Sequence, residues 1–297
     1  MSQYICVDIG GTSIKHGVLD ENAIIKECNQ TKTEAWLGGA AVLDKVKTIG
    51  KQYKEQYENI EGICISTAGM VDPEEGKIVF AGELMPDYTG TCIKKELEKA
   101  LEMPCEVEND VNCAGLAEYV SGSAKESHIM FCATVGTGIG GCAIVNGRVF
   151  HGASNSACEV GYIPMGDSDF QTLGASSILV RKVAEKKIEP LDMWDGKKIF
   201  ALAEKGDKVC ISAIKEMCDV LGKGLATICY VLNPDTIVLG GGIMVQKKNL
   251  EKEIRDSLNR YLRPILAEHL QVCFAEYGNE AGMVGALYNF QNKYGRK

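Results

Sequence analysis

Twice in this chain a strand-like run breaks at a glycine-rich turn, resumes as a second strand, turns on polar residues and resumes as a third. Residues 3–9 (QYICVDI) run into Gly10-Gly11-Thr12, continue over 12–19, turn at Asp20-Glu21-Asn22 and continue over 23–28. The pattern restarts at residue 129. There IMFCATV meets the glycines of 136–141, CAIV follows, Asn146-Gly147 makes a favoured hairpin turn, and 148–150 is the third strand. A repeat of this kind predicts two related domains facing each other. Around these units, helices alternate with strands. Val42, Val46, Ile49, Tyr53 and Tyr57 recur at three and four and predict a helix over 36–57. Strand 61–66, a loop with Asp72-Pro73, helix 92–101, strand 105–108 and helix 110–121 complete the first half. Helices at 175–187, 197–204 and 208–232, strand 236–239, a helix near 246–260, strand 271–275 and a helix from about 280 to 294, with Asn279 as its N-cap, complete the second. The class is α/β.

Composition excludes several kinds of function. With 45% hydrophobic residues, the 297-residue chain has apolar material for two cores. A net charge of −8, with basic residues no denser than the pairs Lys186-Lys187 and Lys247-Lys248, argues against nucleic acid and against anionic membranes. The thirteen cysteines are odd in number and scattered, with no CxxC or CxC, and several (Cys6, Cys64, Cys132, Cys229) lie inside apolar runs. No signal-peptide pattern and no 18-residue apolar window is present. The expectation is a reduced, cytoplasmic protein.

Five segments can carry chemistry. Asp8-Ile9-Gly10-Gly11-Thr12 lies between two strands, where glycines let backbone N–H groups face a phosphate; Thr12 and Lys15 add donors, and Asp8 could hold a metal through water. The same residues also suit a plain glycine hairpin with a capping Asp. Gly136-Thr137-Gly138-Ile139-Gly140-Gly141 formally matches GxGxxG, but a dinucleotide site needs a helix next, and CAIVNGRVF reads as a hairpin. The two turns could instead grip opposite sides of one polyphosphate. Leu239-Gly240-Gly241-Gly242 could let a flat nucleotide ring approach the backbone, or could simply be a loop needing positive φ. No GxxxxGK[ST] occurs, so there is no P-loop. Glu108-Asn109-Asp110-Val111-Asn112 offers two carboxylates and two amides to a polyhydroxyl ligand, with Asp110 able to accept a proton; taken alone, the segment reads first as a helix N-cap with acidic first-turn residues. Glu159-Val160-Gly161-Tyr162 says nothing alone, and the four histidines (His16, His128, His151, His269) are isolated in sequence.

Taken together and in order, DIGGTSIKHG, ISTAGMVDPEEG, ENDVN, VGTGIGG, ACEVGY and NPDTIVLGGGI resemble the ROK family of repressors, open reading frames and sugar kinases. The resemblance covers nearly the whole chain. It implies an α/β fold of two actin-like (ribonuclease H-like) domains around a central cleft, with residues 1–117 plus 281–297 as one domain and 118–280 as the other. It implies ATP-dependent phosphorylation of a hexose or the glucosyl unit of a β-glucoside at the C6 hydroxyl by in-line transfer, with Asp110 as general base. Carried over, Gly69, Asn109, Asp110, Glu159 and Tyr162 contact the sugar. Asp8, Gly10, Gly11, Thr12, Lys15, Gly136, Thr137 and Gly138 surround the phosphates and Mg²⁺, Asp8 holding Mg²⁺ through water, and Gly240, Gly241 and Gly242 lie by the adenosine. A homodimer is implied in the same way.

Two departures bear on the substrate. Tyr162 stands where the family usually has a zinc-binding His, and residues 163–176 lack the cysteine-rich zinc segment, so no zinc is expected. A zinc-free branch with Tyr here includes bacterial β-glucoside kinases, which GNEAGMVGALYNF at 278–290 also resembles. β-Glucosides such as cellobiose therefore lead as substrates, ahead of glucose and N-acetylmannosamine. A sugar-sensing repressor would carry a helix-turn-helix ahead of the first phosphate loop, and seven residues before Asp8 leave no room for one in this sequence. A sugar-binding regulator without catalysis is the reading from a different class.

Overall fold

The computed structural model describes residues 2–295. These divide into two compact units: Met1–Ser121 with Val149–Ala157 and Asn279–Lys297, and Gly122–Arg148 with Cys158–Gly278. The first unit also takes Val149–Ala157, a segment inside the expected 118–280 domain.

The first unit is a five-stranded sheet with helices. Its strands are β1 (Gln3–Ile9), β2 (Ser13–Asp20), β3 (Ile25–Lys32), β4 (Ile60–Thr67) and, after the short hairpin β5 (Met70–Asp72) and β6 (Lys77–Phe80), β7 (Cys105–Asn109). The order is β3-β2-β1-β4-β7. β1 pairs antiparallel with β2 and parallel with β4, and β4 pairs parallel with β7. Helices α1 (Gly39–Gln56), α2 (Ile93–Leu101) and α3 (Asp110–Ser121) connect them, and the closing helix Ala281–Tyr294 packs on α3 and β4. The core joins Ile5, Val7 and Ile9 of β1 to Ile63 and Ile65 of β4, Val46 of α1 and Leu97 of α2. The period of four that marked α1 is therefore its buried face.

The second unit repeats the plan. Strands β8 (Ile129–Val135), β9 (Ile139–Val145), β10 (Arg148–Val149), β13 (Thr236–Gly240) and β14 (Gln271–Phe274) stand in the order β10-β9-β8-β13-β14; the small pair β11 (Pro164–Met165) and β12 (Ser168–Asp169) is separate. β8 is antiparallel to β9 and parallel to β13, as β1 is to β2 and β4. Helices α4 (Phe170–Gly174), α5 (Ser176–Lys187), α6 (Gly196–Glu204), α7 (Lys208–Leu232), α8 (Lys247–Tyr261) and α9 (Pro264–Ala267) follow in chain order, which makes the closing helix α10. Asp207 caps α7 by accepting from Val209 N–H and Cys210 N–H (both 3.0 Å), and the α7 face Ile214, Cys218, Leu221, Leu225, Ile228 is buried in the core. Among the described residues no helix is long and apolar enough to cross a membrane.

Three local expectations need correction. The second glycine turn spans only 136–138, because Gly140 and Gly141 already belong to β9. A Cβ on Gly141 would lie 2.6 Å from the Cys158 carbonyl and 2.8 Å from the Phe131 ring, so this glycine permits a close approach within the sheet. Asn279 does not cap α10; it sits in a 3₁₀ turn, Gly278–Glu280, and its carbonyl accepts from Lys15 Nζ (3.0 Å). The Asp72-Pro73 loop is the turn of the β5–β6 hairpin.

Candidate active site

Sheet register assembles the first half of the site. Asp8 of β1 pairs with Ser66 of β4, which pairs with Glu108 of β7, and one residue further on Ile9, Thr67 and Asn109 end the three parallel strands in one row. Parallel strands keep side chains in phase, so residues about fifty positions apart emerge on one edge of the sheet. Ser66 Oγ donates to Asp8 Oδ1 (2.7 Å), and Lys15 Nζ lies 4.0 Å from Oδ2. The backbone of α10 closes over this carboxylate: a Cβ on Gly282 would stand 2.4 Å from Asp8 Cγ. Burial pushes the Asp8 carboxyl up, opposed by the Ser66 hydrogen bond and the Lys15 charge.

The adjoining turn is held from behind. Gly10 N–H donates to Ser13 O (3.0 Å), while Thr33 donates through its Oγ1 to Gly10 O (2.6 Å) and through its N–H to Thr12 O (3.1 Å). A Cβ on Gly11 would meet no protein atom within 4 Å, so that side of the turn is open.

At the end of β7 the ENDVN segment does both things its sequence allowed. α3 begins at Asp110, and Asn109 caps it, its Oδ1 accepting from Val111 N–H (2.9 Å) and Asn112 N–H (3.1 Å). Asn109 Nδ2 donates to Gly69 O (2.9 Å) and to Asp110 Oδ1 (3.0 Å), which also accepts from Val111 N–H (2.9 Å). Gly69 has φ +99°, and a Cβ there would lie 2.9 Å from Phe80 O, so only glycine suits it. Gly69, Asn109 and Asp110 are therefore one bonded group. Behind them Glu108 is fully buried: its Oε1 accepts from Asn109 N–H (2.8 Å) and Asn112 Nδ2 (2.9 Å), its Oε2 from His151 Nε2–H (2.7 Å).

In the second unit, the carbonyls of the Gly136–Gly138 turn point at the start of α5. Ser176 donates to Gly136 O through N–H (3.0 Å) and Oγ (2.7 Å), and Ser177 Oγ donates to Thr137 O (2.7 Å). A Cβ on Gly136 would meet nothing within 4 Å. Gly241, with φ +95°, lies against β8, where a Cβ would be 2.3 Å from Val135 O; the Gly240–Gly242 segment thus abuts the residue that opens the turn. Glu159 stands exposed at the N-cap position of a 3₁₀ turn, Val160–Tyr162, with its carboxyl raised by partial desolvation, and Tyr162 is exposed. Gln171 of α4 links this turn to the glycine turn, since Cβ atoms on Gly138 and Gly161 would both fall within 2.8 Å of its Oε1.

The model of the ROK family matches residues 4–293. The chain belongs to the ROK family. An uncharacterised protein of Clostridium perfringens is 44% identical over the full length of both chains. A β-glucoside kinase of Klebsiella pneumoniae is 30% identical, covering 97% of this chain and 95% of its own. Among solved structures, a ROK family glucokinase from Streptomyces griseus in complex with glucose and AMPPNP is 28% identical, with a TM-score of 0.83 over 97% of this chain and 98% of that one.

Against this ROK framework the sequence missed several supports. Ser66, Thr33, Ser176, Ser177, Gln171 and Gly282 support the candidate residues from distant parts of the chain; Ser66 and Gly282 lie in segments that carry the resemblance, but nothing local marks these six as supports. His151 was grouped with isolated histidines; it is the partner of Glu108. His16 bonds Tyr53 Oη (2.9 Å), as a structural histidine does. Among the described residues no group of three or more His, Cys, Asp or Glu is arranged to hold a metal ion.

Proposed function

We propose that this ROK chain transfers the γ-phosphoryl group of ATP to a hexose or to the glucosyl unit of a β-glucoside, at the C6 hydroxyl, with Asp110 as general base. The chain is a carbohydrate kinase. The observation that carries the catalytic assignment is the Gly69–Asn109–Asp110 group, in which a carboxylate is fixed by two hydrogen bonds at the start of a helix, on the sheet edge that also presents the Gly10–Thr12 turn. In the reaction, Asp110 takes the hydroxyl proton as the sugar oxygen forms its bond to γ-phosphorus, and the bond to the β-phosphate oxygen breaks to release ADP. Catalysis of this kind is mostly positioning and charge stabilisation.

Roles follow for the other residues. Gly69, Asn109, Glu159 and Tyr162 bind the sugar. Both amide hydrogens of Asn109 and its Oδ1 are used within the loop, so it meets a sugar hydroxyl by exchanging one of these bonds. Gly10, Gly11, Thr12, Lys15, Gly136, Thr137 and Gly138 surround the phosphates, and Gly240, Gly241 and Gly242 the adenosine. Asp8 fits Mg²⁺, because a buried carboxylate whose pKa is raised by desolvation gains from a nearby cation. When bound, Mg²⁺ offsets charge on the phosphate oxygens. The likeness to the Klebsiella enzyme and the Tyr at 162 favour β-glucosides over glucose, with N-acetylmannosamine third. A cytoplasmic homodimer needing no zinc is the form we expect.

ADP release with Mg-ATP across cellobiose, an aryl β-glucoside, glucose and N-acetylmannosamine tests the reading. Turnover should be highest on the β-glucosides, and Asp110→Ala should lower kcat by about two to four orders of magnitude. A folded Asp110→Ala protein with near-normal kcat would remove the base assignment. ATP turnover on none of these sugars would point first to a sugar outside the set and then to the sugar-binding regulator.

A further inference from the structure

We propose that His151 is a positioning residue for phosphoryl transfer, holding Asn109 and Asp110 in place through the carboxylate of Glu108. This rests on the assignment of Asp110 as base. Glu108 is a hub with every bond accounted for: one oxygen takes the Asn109 backbone N–H and the Asn112 side chain, and the other takes His151. The first of those bonds fixes the Glu108–Asn109 peptide, one residue before Asp110, and the second ties down the first turn of α3 through the Asn112 side chain. The carboxylate that fixes them is fully buried, and a buried carboxylate costs several kcal/mol when its partner is removed. His151 is that partner, approaching from a loop forty-three residues further along the chain.

The loop is built to deliver the imidazole. His151 O accepts from Ala157 N–H (3.1 Å), closing residues 151–157 into a compact turn, and Gly152 has φ +71° with a Cβ position 3.1 Å from the Ala157 methyl. The largest charge effects on the ring are acidic: Glu108 first, then Glu74 and Asp72, with Glu74 itself paired to Lys293 (2.7 Å). These hold the His151 pKa above its ordinary value, against partial burial. His151 touches no reacting atom in this scheme. Its action on the reaction passes through Glu108 to the backbone of Asn109 and so to Asp110.

The test uses the full chain with Mg-ATP and whichever of cellobiose, the aryl β-glucoside or glucose it turns over. His151→Ala should lower kcat about ten- to a hundredfold, the scale of an ångström-level misplacement, with sugar KM changed less than about threefold. His151→Gln keeps a donor toward Glu108 and should recover much of that loss. The pair Glu108→Gln with His151→Ala should be no slower than the worse single variant, because the two act as one unit. Normal kcat in folded His151→Ala overturns the proposal. So does a rise in sugar KM alone, which would place His151 in support of the loop leading to Glu159. A His151→Gln protein as slow as His151→Ala also overturns it. Asp110→Asn is assayed alongside: if it retains activity the base assignment fails and takes this inference with it, whereas if it is inactive and the His151 variants are normal, only this inference fails.

Discussion

Gly282→Ala isolates the role of Asp8 without touching a charged residue. Gly282 lies in the first turn of α10, where an added Cβ would stand 2.4 Å from Asp8 Cγ and 2.6 and 2.7 Å from its oxygens. Carbon–carbon contacts sit at about 3.5–4.0 Å, so from 2.4 Å the carboxylate must retreat by roughly 1 Å or the helix must lift by as much. Asp8 is tied to Ser66 by a 2.7 Å bond on the neighbouring strand, and moving it strains that bond. Overpacking of this kind costs about 1–3 kcal/mol, while replacing a helical glycine by alanine returns up to about 1 kcal/mol. The net loss of stability is therefore small, on the order of 2 kcal/mol or less, or a fall in Tm of no more than about 8 °C. The effect on catalysis should be larger if Asp8 holds the metal as proposed, because a misplacement near 1 Å lowers the rate about a hundredfold. The assay is kcat at saturating sugar and Mg-ATP, beside a thermal melt. Combining Gly282→Ala with Asp8→Asn should add little to Asp8→Asn alone if the damage passes through that carboxylate. A folded Gly282→Ala enzyme with kcat within threefold of the parent would refute the reasoning.

Gly11→Ala is the complementary change: its Cβ meets no protein atom within 4 Å, so the melt should hold while the KM for ATP rises about tenfold or more, 1.4 kcal/mol, because a methyl group now faces the phosphates. An unchanged KM would mean that phosphate does not approach that face. The His151–Glu108 pair also gives stability a pH signature. The folded pKa of His151 is raised, so the contribution is fully present below the ordinary histidine value near 6.5 and is lost as pH rises through the folded value. The difference in Tm between the parent and His151→Gln should therefore be greatest near pH 6 and shrink toward pH 9; a difference that grows with pH would contradict a raised pKa.

What could be read from the sequence was whatever is carried by neighbours along the chain. The two strand–turn–strand units, the long periodic helices and the ENDVN junction depend on residues within one or two turns of each other, and their bounds differ from the expected ones by three residues or fewer, save for the third strand, which runs four residues further. Short elements escaped. β5 and β6 are three and four residues long, and α4 is five, too few to show a period. The α10 cap was misplaced because an Asn before an apolar run is a signal of type, and the backbone here makes an extra 3₁₀ turn before the helix starts. In the candidate site, every residue of the glycine turns was visible, but the groups that hold them were not. Glu108 and His151 are separated by forty-three positions, Asp8 and Gly282 by 274, and nothing near either member announces the other.

The two units show how one topology serves different chemistry. Both sheets run three antiparallel strands into two further parallel ones, so both leave a glycine turn beside the ends of parallel strands. In the first unit that edge carries Asp8, Ser66, Glu108, Asn109 and Asp110, three of them carboxylates. In the second, the matching ends of β8 and β13 carry Thr134, Val135 and Gly240, and the turn's carbonyls are bonded by Ser176 and Ser177. Backbone donors suit an anion such as a polyphosphate, whereas the concentration of carboxylates suits a metal ion and a hydroxyl that must lose a proton. Because a one-residue slip in β4 or β7 would turn Ser66 or Glu108 to the opposite face, the register that builds the apolar core is the same register that aligns the acids. The reactive edge of the first unit is thus specified by its hydrophobic packing, and the core residues Ile63, Ile65 and Val107, which touch no substrate, fix where Asp110 begins.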